Sequence, residues 1–406
     1  LADTYTDSTT GLAWSYVKGD DGRATITGVS KARGDLRIPA WLGDVGVSDI
    51  GTEAFKDCVQ LLTVEIEGGI SSLGERSFNG CVALRRISVP SSVNVIGTGS
   101  FVGCDSLKSA KSPGCATLSS IGLTGLQEVE IAEGASYVCD NMMHGCGTIK
   151  KVTLPQTITR IGDYAFAGCG LPESFDLPDS VNEIGMYAFS GCSAMKTIRM
   201  PASASSIGEG AFKDCKNLVS IRIPSGISRI ETRLFENCVI LKSVEVTSAF
   251  ESIGPYAFSR CANLKEIALL PGLKIIDERA FRECGITSVR LPTTLMAIGV
   301  CAFESCSNLK EIEIPSSMPQ SYDGWDFYYE VDGVRTRETH SIRGGAFSGT
   351  GIQSIRVPAW LRCWYVFSGQ ITNVVISGGE SVAAQAYKDC VGLESVTILE
   401  GVSRIE

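Results

Sequence analysis

The sequence predicts a repeat solenoid, because one short unit recurs along most of the chain and each copy contains one short β-strand. The unit is clearest in IGDYAFAGC, IGMYAFSGC and IGEGAFKDC, which begin at Ile161, Ile184 and Ile207. Its phenylalanine recurs every 23 residues from Phe166 to Phe281. A unit of this length cannot enclose an apolar interior alone, so about fifteen stacked copies are expected to share one core.

Each copy is expected to contain one strand and one tight turn. In LVSIRIP (218–224), Ile221 and Ile223 alternate with Arg222, which is the pattern of a half-buried strand. The proline that follows has no N–H group and therefore ends the ladder. Residues 208–215 are too few for an independent helix, and we expect them to form a 3₁₀ or single α turn that inserts the phenylalanine.

Composition excludes several classes of function. The chain has 406 residues, 44% hydrophobic and 20% charged, a balance typical of folded proteins. A net charge of −9 argues against a nucleic-acid partner, because that binding depends on Lys and Arg. No apolar run reaches the roughly 18 residues of a membrane helix. With only two histidines, His144 and His340, no metal site, cofactor or catalytic triad is predicted.

Most cysteines follow the repeat. Twelve of the sixteen lie three residues after the phenylalanine position, where we expect a ladder of buried free thiols. Cysteine serves there as a small apolar residue, and Thr350 replaces it in one copy. The other four, Cys115, Cys139, Cys301 and Cys363, could pair or stay free, and no CxxC spacing indicates zinc. The twelve are Cys58, Cys81, Cys104, Cys146, Cys169, Cys192, Cys215, Cys238, Cys261, Cys284, Cys306 and Cys390.

The repeated pattern of Ile-Gly, Ala-Phe, Cys, Leu and then Ile-x-Ile-Pro resembles the BspA-type leucine-rich repeats of bacterial surface proteins and of some protozoan ones. The resemblance covers about residues 35–406 and departs from the pattern at 113–132, 316–343 and 359–376. It implies a leucine-rich-repeat solenoid, secretion or display at the cell surface, and adhesion or host-protein binding. It implies no catalytic residues, because the family motif is structural.

The two ends differ from the repeat. Residues 1–34 contain two alternating segments, GLAWSY (11–16) and RATITGV (23–29), and we interpret them as a β-hairpin cap with Trp14 and Tyr16 as lids. Residues 35–406 form the predicted solenoid. The start shows no signal peptide, so a leader is expected to be absent or already removed. The last copy is incomplete, so we expect either that the natural protein continues past Glu406 or that its tail docks against something else.

An insertion carries a dense group of aromatic residues. Asp332-Gly333, flanked by WDFYYEV and VRTRET, predicts a β-hairpin that projects from the solenoid at about 316–343. Rigid aromatic rings are typical of protein interfaces and sugar platforms, although these could equally pack the hairpin onto the solenoid. The candidate binding residues of this region are Tyr322, Trp325, Tyr328, Tyr329, Trp360 and Trp364.

A second candidate surface is the strand row, the exposed middle residue of each strand. Acidic residues and hydroxyls are expected in its first part, and arginine first appears at Arg199. The alternative is a solvated face with cross-strand pairs such as Arg222 with Glu245. The candidate binding residues here are Arg199, Arg222, Arg290 and Arg356. The full row is Glu65, Ser88, Glu130, Thr153, Asp176, Arg199, Arg222, Glu245, Ala268, Arg290, Glu313, Arg356, Val375 and Thr397.

These features favour a non-enzymatic, secreted or cell-surface binding or adhesion protein. Its partner would be a protein or a glycan on another cell or on matrix, contacted through the strand face and the aromatic insertion. One alternative is a spacer or stalk that displays another domain beyond residue 406. Another is a glycan-binding module, which depends on the aromatic cluster alone.

Overall fold

The computed structural model describes residues 2–114, 122, 125–322, 328–331, 334–337, 340–367 and 371–406, with backbone only for 328–331, 334–337, 364 and 365. The chain is a β-solenoid of about 15 turns with parallel stacked strands and little helix, which confirms the predicted fold class. It divides into two compact units, Leu1–Met195 and Lys196–Glu406.

In the first unit, two rows of parallel strands run along the stacked turns, and an antiparallel segment precedes them. The antiparallel strands are Asp3–Thr6, Ala13–Lys18 and Ala24–Val29, and Trp41–Leu42 pairs antiparallel with Val45–Ile50. The long strands are Arg33–Ile38, Gln60–Ile66, Arg86–Ser88, Ser109–Ser112, Glu128–Ile131, Lys151–Thr153 and Ser174–Asp176. The short strands are Val45–Ile50, Ser72–Leu73, Val95–Ile96, Tyr137–Val138, Arg160–Ile161 and Glu183–Ile184.

The second unit repeats this arrangement. Its long strands are Thr197–Arg199, Ser220–Ile223, Ser243–Val246, Glu311–Glu313, Ser354–Val357, Asn373–Ile376 and Ser395–Ile398. Its short strands are Ser206–Ile207, Arg229–Ile230, Ser252–Ile253, Ile275–Ile276, Ala297–Ile298, Ser381–Val382 and Arg404–Ile405. Tyr328–Val331 and Val334–Arg337 pair antiparallel in the insertion, and Cys363–Val366 is the one described α-helix.

The phenylalanine of each copy lies in a corner, which we define as the turn from two residues before it to two residues after it. The corners are hydrogen-bonded turns rather than the 3₁₀ or α turns expected from the sequence. In the corner around Phe55, the N–H groups of Glu53, Phe55 and Asp57 donate to carbonyls of the next turn at 2.8–3.0 Å. The rings of successive corners stack, as Phe55 and Phe78 do with centroids 5.0 Å apart.

Both ends of the corner adopt left-handed backbone conformations. Tyr164, two residues before Phe166, has φ 55°, and Gly168, two residues after it, has φ 69°. Side chains disfavour this region by about 1 kcal/mol or more, yet Tyr, Arg, Glu and Asp occupy it repeatedly. The three N–H bonds to the next turn hold the conformation, so tertiary pairing overrides residue preference here.

The glycine of the Ile-Gly pair that precedes each corner, such as Gly97, needs another explanation, because its φ is not positive. At Gly97, a Cβ atom would lie 2.4 Å from the Glu75 nitrogen of the preceding turn. At Gly97, glycine therefore allows the close approach of two turns rather than a special backbone conformation. Glu231 and Asp277 occupy the same position in other copies, which agrees with a φ that is not positive, so the approach differs from copy to copy.

The N-terminal strands cover the first corner. Trp14 is almost fully buried, and its ring meets Phe55 edge-on with centroids 6.5 Å apart. The strand Ala24–Val29 pairs in parallel with Val45–Ile50, which joins the segment to the first sheet. Trp14 therefore packs against the first ring of the stack, whereas Tyr16 is half-buried. The strand Asp3–Thr6, which lacks a clear alternating pattern, was not predicted.

The ladder cysteines make hydrogen bonds in addition to packing as small apolar residues. The Cys238 thiol donates to the carbonyl of Phe212 at 3.1 Å, and seven other ladder thiols make the same kind of bond at 2.8–3.2 Å. Thr350 differs, because its hydroxyl donates to the carbonyl of Phe347 in its own turn, at 2.8 Å. Cysteine thus supplies a buried donor for a carbonyl that would otherwise have one lone pair unsatisfied.

Burial raises the pKa of the Cys238 thiol well above its ordinary value. The unfolded chain ionises this thiol near pH 9 while the folded chain keeps it protonated, so its contribution to stability is present below that pH and is lost as pH rises. Between pH 8 and 10, we expect the wild type to lose about 1 to 2 kcal/mol more unfolding free energy than Cys238→Ala. Urea unfolding of both proteins at each pH measures this, and parallel pH profiles would contradict it.

Candidate binding surfaces

The register of the long strands shows which residues form the strand row. It adds basic residues to the first part of that row. Arg37 lies opposite Glu65, and Lys111 lies between Ser88 and Glu130. Lys111 and Glu130 form an ion pair of 2.7 Å. The expectation that the first part of the row is acidic or neutral is therefore wrong, because two strands that belong to it, Arg33–Ile38 and Ser109–Ser112, do not match the repeat pattern well.

The four predicted arginines occupy different environments, all in the second unit. Arg199 ends the strand Thr197–Arg199, and Arg222 pairs with Glu245 at 3.3 Å as expected for a solvated face. Arg356 approaches Glu313 at 3.9 Å. Arg290 is exposed and makes no ion pair within the described part of the chain. The charge of Arg290 is therefore not paired with any acidic side chain of the described residues.

The sheet is interrupted where Arg290 lies. Glu266–Leu269 and Ser288–Leu291 keep the alternating burial of a strand but make no backbone hydrogen bonds to neighbouring turns, in a stretch that is described throughout. The predicted continuous row of strands is therefore wrong at Ala268 and Arg290.

A depression of about 660 Å³ lies at the edge of this interruption. Arg290 and Arg356 line it together with Glu311 and Glu313, and Ile312 contributes to its apolar lining. The structure thus brings two of the four predicted arginines into one concave site, while Arg199 and Arg222 lie outside it.

The insertion is anchored to the second unit at its base. Met318 and Ile342 are buried, and Ser321 pairs with His340 in an antiparallel bridge. Arg343 takes the place of the close-approach glycine and is 1% exposed. Its charge opposes the rise that burial causes in the pKa of Asp277. The base of the insertion is therefore part of the core.

The predicted aromatic residues are only partly described. Tyr322 and Trp360 are half-buried. Trp325 lies outside the described residues, as do the side chains of Tyr328, Tyr329 and Trp364, although Tyr328 and Tyr329 belong to a paired strand.

Sequence reasoning missed Trp41, which is 64% exposed and is the most exposed tryptophan among the described side chains. A signal for it was present, because the motif Pro-Ala-Trp-Leu occurs twice, at 39–42 and at 358–361. The second copy contains Trp360, which was predicted as a binding residue.

Among the described residues, no group of three or more His, Cys, Asp or Glu side chains could hold a metal ion, and no helix is long and apolar enough to cross a membrane. Cys146 is buried, and its thiol is 4.0 Å from the carbonyl of His144, while the His144 ring lies against Tyr164.

A family model described as the BspA type leucine rich repeat region matches residues 44–124, 122–242, 228–332 and 334–406. The chain belongs to this family. No curated protein sequence matches it.

Several solved structures are similar to the chain. A leucine-rich repeat protein from Bacteroides ovatus is 19% identical over 90% of this chain and 98% of its own, with a TM-score of 0.49. A leucine rich cell surface protein from Faecalibacterium prausnitzii is 24% identical over 98% and 94%, with a TM-score of 0.39. The pneumococcal vaccine antigen PcpA is 15% identical over 98% and 99%, with a TM-score of 0.44.

Proposed function

We propose that this BspA-type protein is a non-enzymatic binding protein, secreted or displayed at the cell surface, that contacts another macromolecule through the strand face of its second unit. The observation that supports this most is the depression lined by Arg290 and Arg356. Concave sites with an apolar floor and a few uncommitted polar groups are typical of binding sites.

The charge arrangement supports a protein partner. Arg290 has no ion pair to break within the described residues, so a partner carboxylate could use it without displacing an internal anion. Glu311 and Glu313 on the same wall would select against a uniformly acidic partner and fix its register. A partner surface of mixed charge therefore fits best.

The aromatic insertion extends this proposed surface. Glu313 and Pro315, which line the depression, directly precede the insertion in the chain. We propose that Tyr322, Trp325, Tyr328 and Tyr329, with Trp360 and Trp364, contribute aromatic anchors beside the charged site.

Reversing the two arginine charges should abolish most of the binding. We expect Arg290→Glu with Arg356→Glu to weaken the affinity for a protein partner at least about tenfold, because a partner carboxylate would then face four acidic side chains. The measurement is binding to a panel of immobilised extracellular and matrix proteins, followed by titration of the strongest hit. Lys242→Glu, an exposed charge reversal outside the depression, is the matched control.

A second variant tests the insertion in the same assay. Replacing residues 322–339 by two glycines preserves buried Met318 and Ile342, and the Ser321–His340 bridge places the joined ends side by side. Unchanged affinity of the arginine variant for every panel member would contradict the proposed site. If only the variant that lacks residues 322–339 kept its affinity, the aromatic residues 322–329 would not belong to the proposed site.

A further inference from the structure

One position of the repeat normally carries a structural hydroxyl or a small residue. It is the second residue after the proline that ends the long strand. Ser92 donates its hydroxyl to the Ile70 carbonyl at 2.8 Å, and Ser180 donates to the Ile158 carbonyl at 2.6 Å. Thr294 does the same to the Leu273 carbonyl at 2.9 Å. Each bond ties a turn to the one before it.

Trp41 and Trp360 occupy this position in the two Pro-Ala-Trp-Leu segments. Neither can make the hydroxyl bond that serine makes. Trp360 is half-buried, so packing accounts for it, but Trp41 is 64% exposed. An exposed indole leaves much apolar area in water, whereas other copies carry serine or threonine at this position.

The structure holds Trp41 in a fixed place. The residue pairs with Gly46 across a two-residue hairpin, and a Cβ atom at Gly46 would lie 3.4 Å from the indole ring. One ring face therefore rests on the glycine backbone. The preceding Ala40 N–H donates to Glu67 at 2.8 Å, and Glu67 also pairs with Arg37 at 2.8 Å. The platform is pre-organised, which lowers the entropic cost of binding.

The exposed residues that flank Trp41 in the sequence favour one of two classes of partner. A protein interface needs roughly 800 Å² on each side, with anchors at the centre of a packed patch. Between residues 18 and 58, Trp41 is the single exposed large hydrophobic side chain of the described chain. Its exposed neighbours in sequence are polar, namely Arg37 and Asp44. One flat apolar surface among charged groups suits a small ligand with one apolar face and many hydroxyls.

We propose that Trp41 is the platform of a saccharide-binding site, on which the C–H face of one pyranose ring stacks. Arg37 and Asp44 then provide a donor and an acceptor for the ring hydroxyls, and Glu67 positions the segment through the Ala40 N–H group. This site lies in the first unit and is independent of the arginine site proposed above.

The substitution Trp41→Ser tests this site, because serine is the residue that other copies carry at this position. The protein is screened on a printed glycan array, and the strongest oligosaccharide is then titrated in solution by tryptophan fluorescence. We expect the emission to shift to shorter wavelength as the sugar covers Trp41. In Trp41→Ser, we expect this shift to disappear and the dissociation constant to rise at least about tenfold.

Two further variants complete the experiment. Trp41→Phe keeps a stacking face and should retain part of the affinity. Val95→Ser removes another exposed apolar side chain of the first unit and should bind as the wild type does. Thermal unfolding confirms that each variant is folded. Failure of the wild type to bind any glycan, or equal binding by Trp41→Ser, would overturn the proposal, as would a Trp41-dependent protein partner without glycan binding.

Discussion

Replacing Phe212 by alanine is expected to lower the free energy of unfolding by about 3 to 5 kcal/mol, the usual cost of deleting a buried aromatic ring. Phe212 is fully buried and stacks on Phe235 with ring centroids 5.8 Å apart. Its neighbours are held by corner hydrogen bonds on both sides, so they cannot collapse into the cavity. Urea unfolding followed by circular dichroism provides the measurement.

The control for this substitution is Lys216→Ala, an exposed change in the same copy, which should alter the unfolding free energy by less than about 0.5 kcal/mol. A loss below about 1 kcal/mol in Phe212→Ala would show that the ring stack contributes little to stability. The shared core would then depend on the isoleucine and leucine positions alone.

Replacing Gly97 by alanine is expected to destabilise the first unit by about 3 kcal/mol, at the upper end of the usual cost of overpacking. The added methyl group would lie 2.4 Å from the Glu75 nitrogen, 2.6 Å from the Gly74 carbonyl carbon and 2.7 Å from the Glu75 Cα. All three are backbone atoms that take part in the stacking of turns, so no side-chain rotation can relieve the contact.

Gly68→Ala is the matched control, because no atom lies within 4 Å of the added Cβ and its φ is not positive. The unfolding free energy of this variant should stay within about 0.5 kcal/mol of the wild type. If Gly97→Ala were as stable as Gly68→Ala, the turns would have to separate at low cost, and close approach would not explain the glycine.

The sequence predicts most of the scaffold, because stacking requires regular spacing of the core residues. The steps of 23 residues between phenylalanines predict the ring stack, and the position of cysteine predicts its burial. The left-handed residues were missed because the usual preference for glycine is overridden, as at Tyr164 and Arg233. What holds them is a hydrogen bond to the next turn, and no local pattern encodes that.

The candidate surfaces were harder to predict. Ile267 and Val289 alternate as strand residues do, yet their segments make no ladder bonds. The depression beside Arg290 lies at this interruption, and the periodic pattern gives no sign of it, so its position could not be predicted from the repeat. Trp41 could have been found, since Pro-Ala-Trp-Leu occurs twice, but its exposure depends on the hairpin that seats it on Gly46.

The direction of the corner hydrogen bonds has an electrical consequence. In both units, the N–H groups of the corner donate to the following turn, as Phe55 does to Ser77 and Phe258 does to Ala280. Their peptide dipoles are therefore aligned and add along the stack, whereas dipoles in a sheet ladder largely cancel. Within each row of corners, the positive ends of the dipoles thus point toward the later turns and the negative ends toward the earlier ones. The corner rows of two protein molecules could join end to end only in the same orientation. The reverse orientation would place N–H groups against N–H groups.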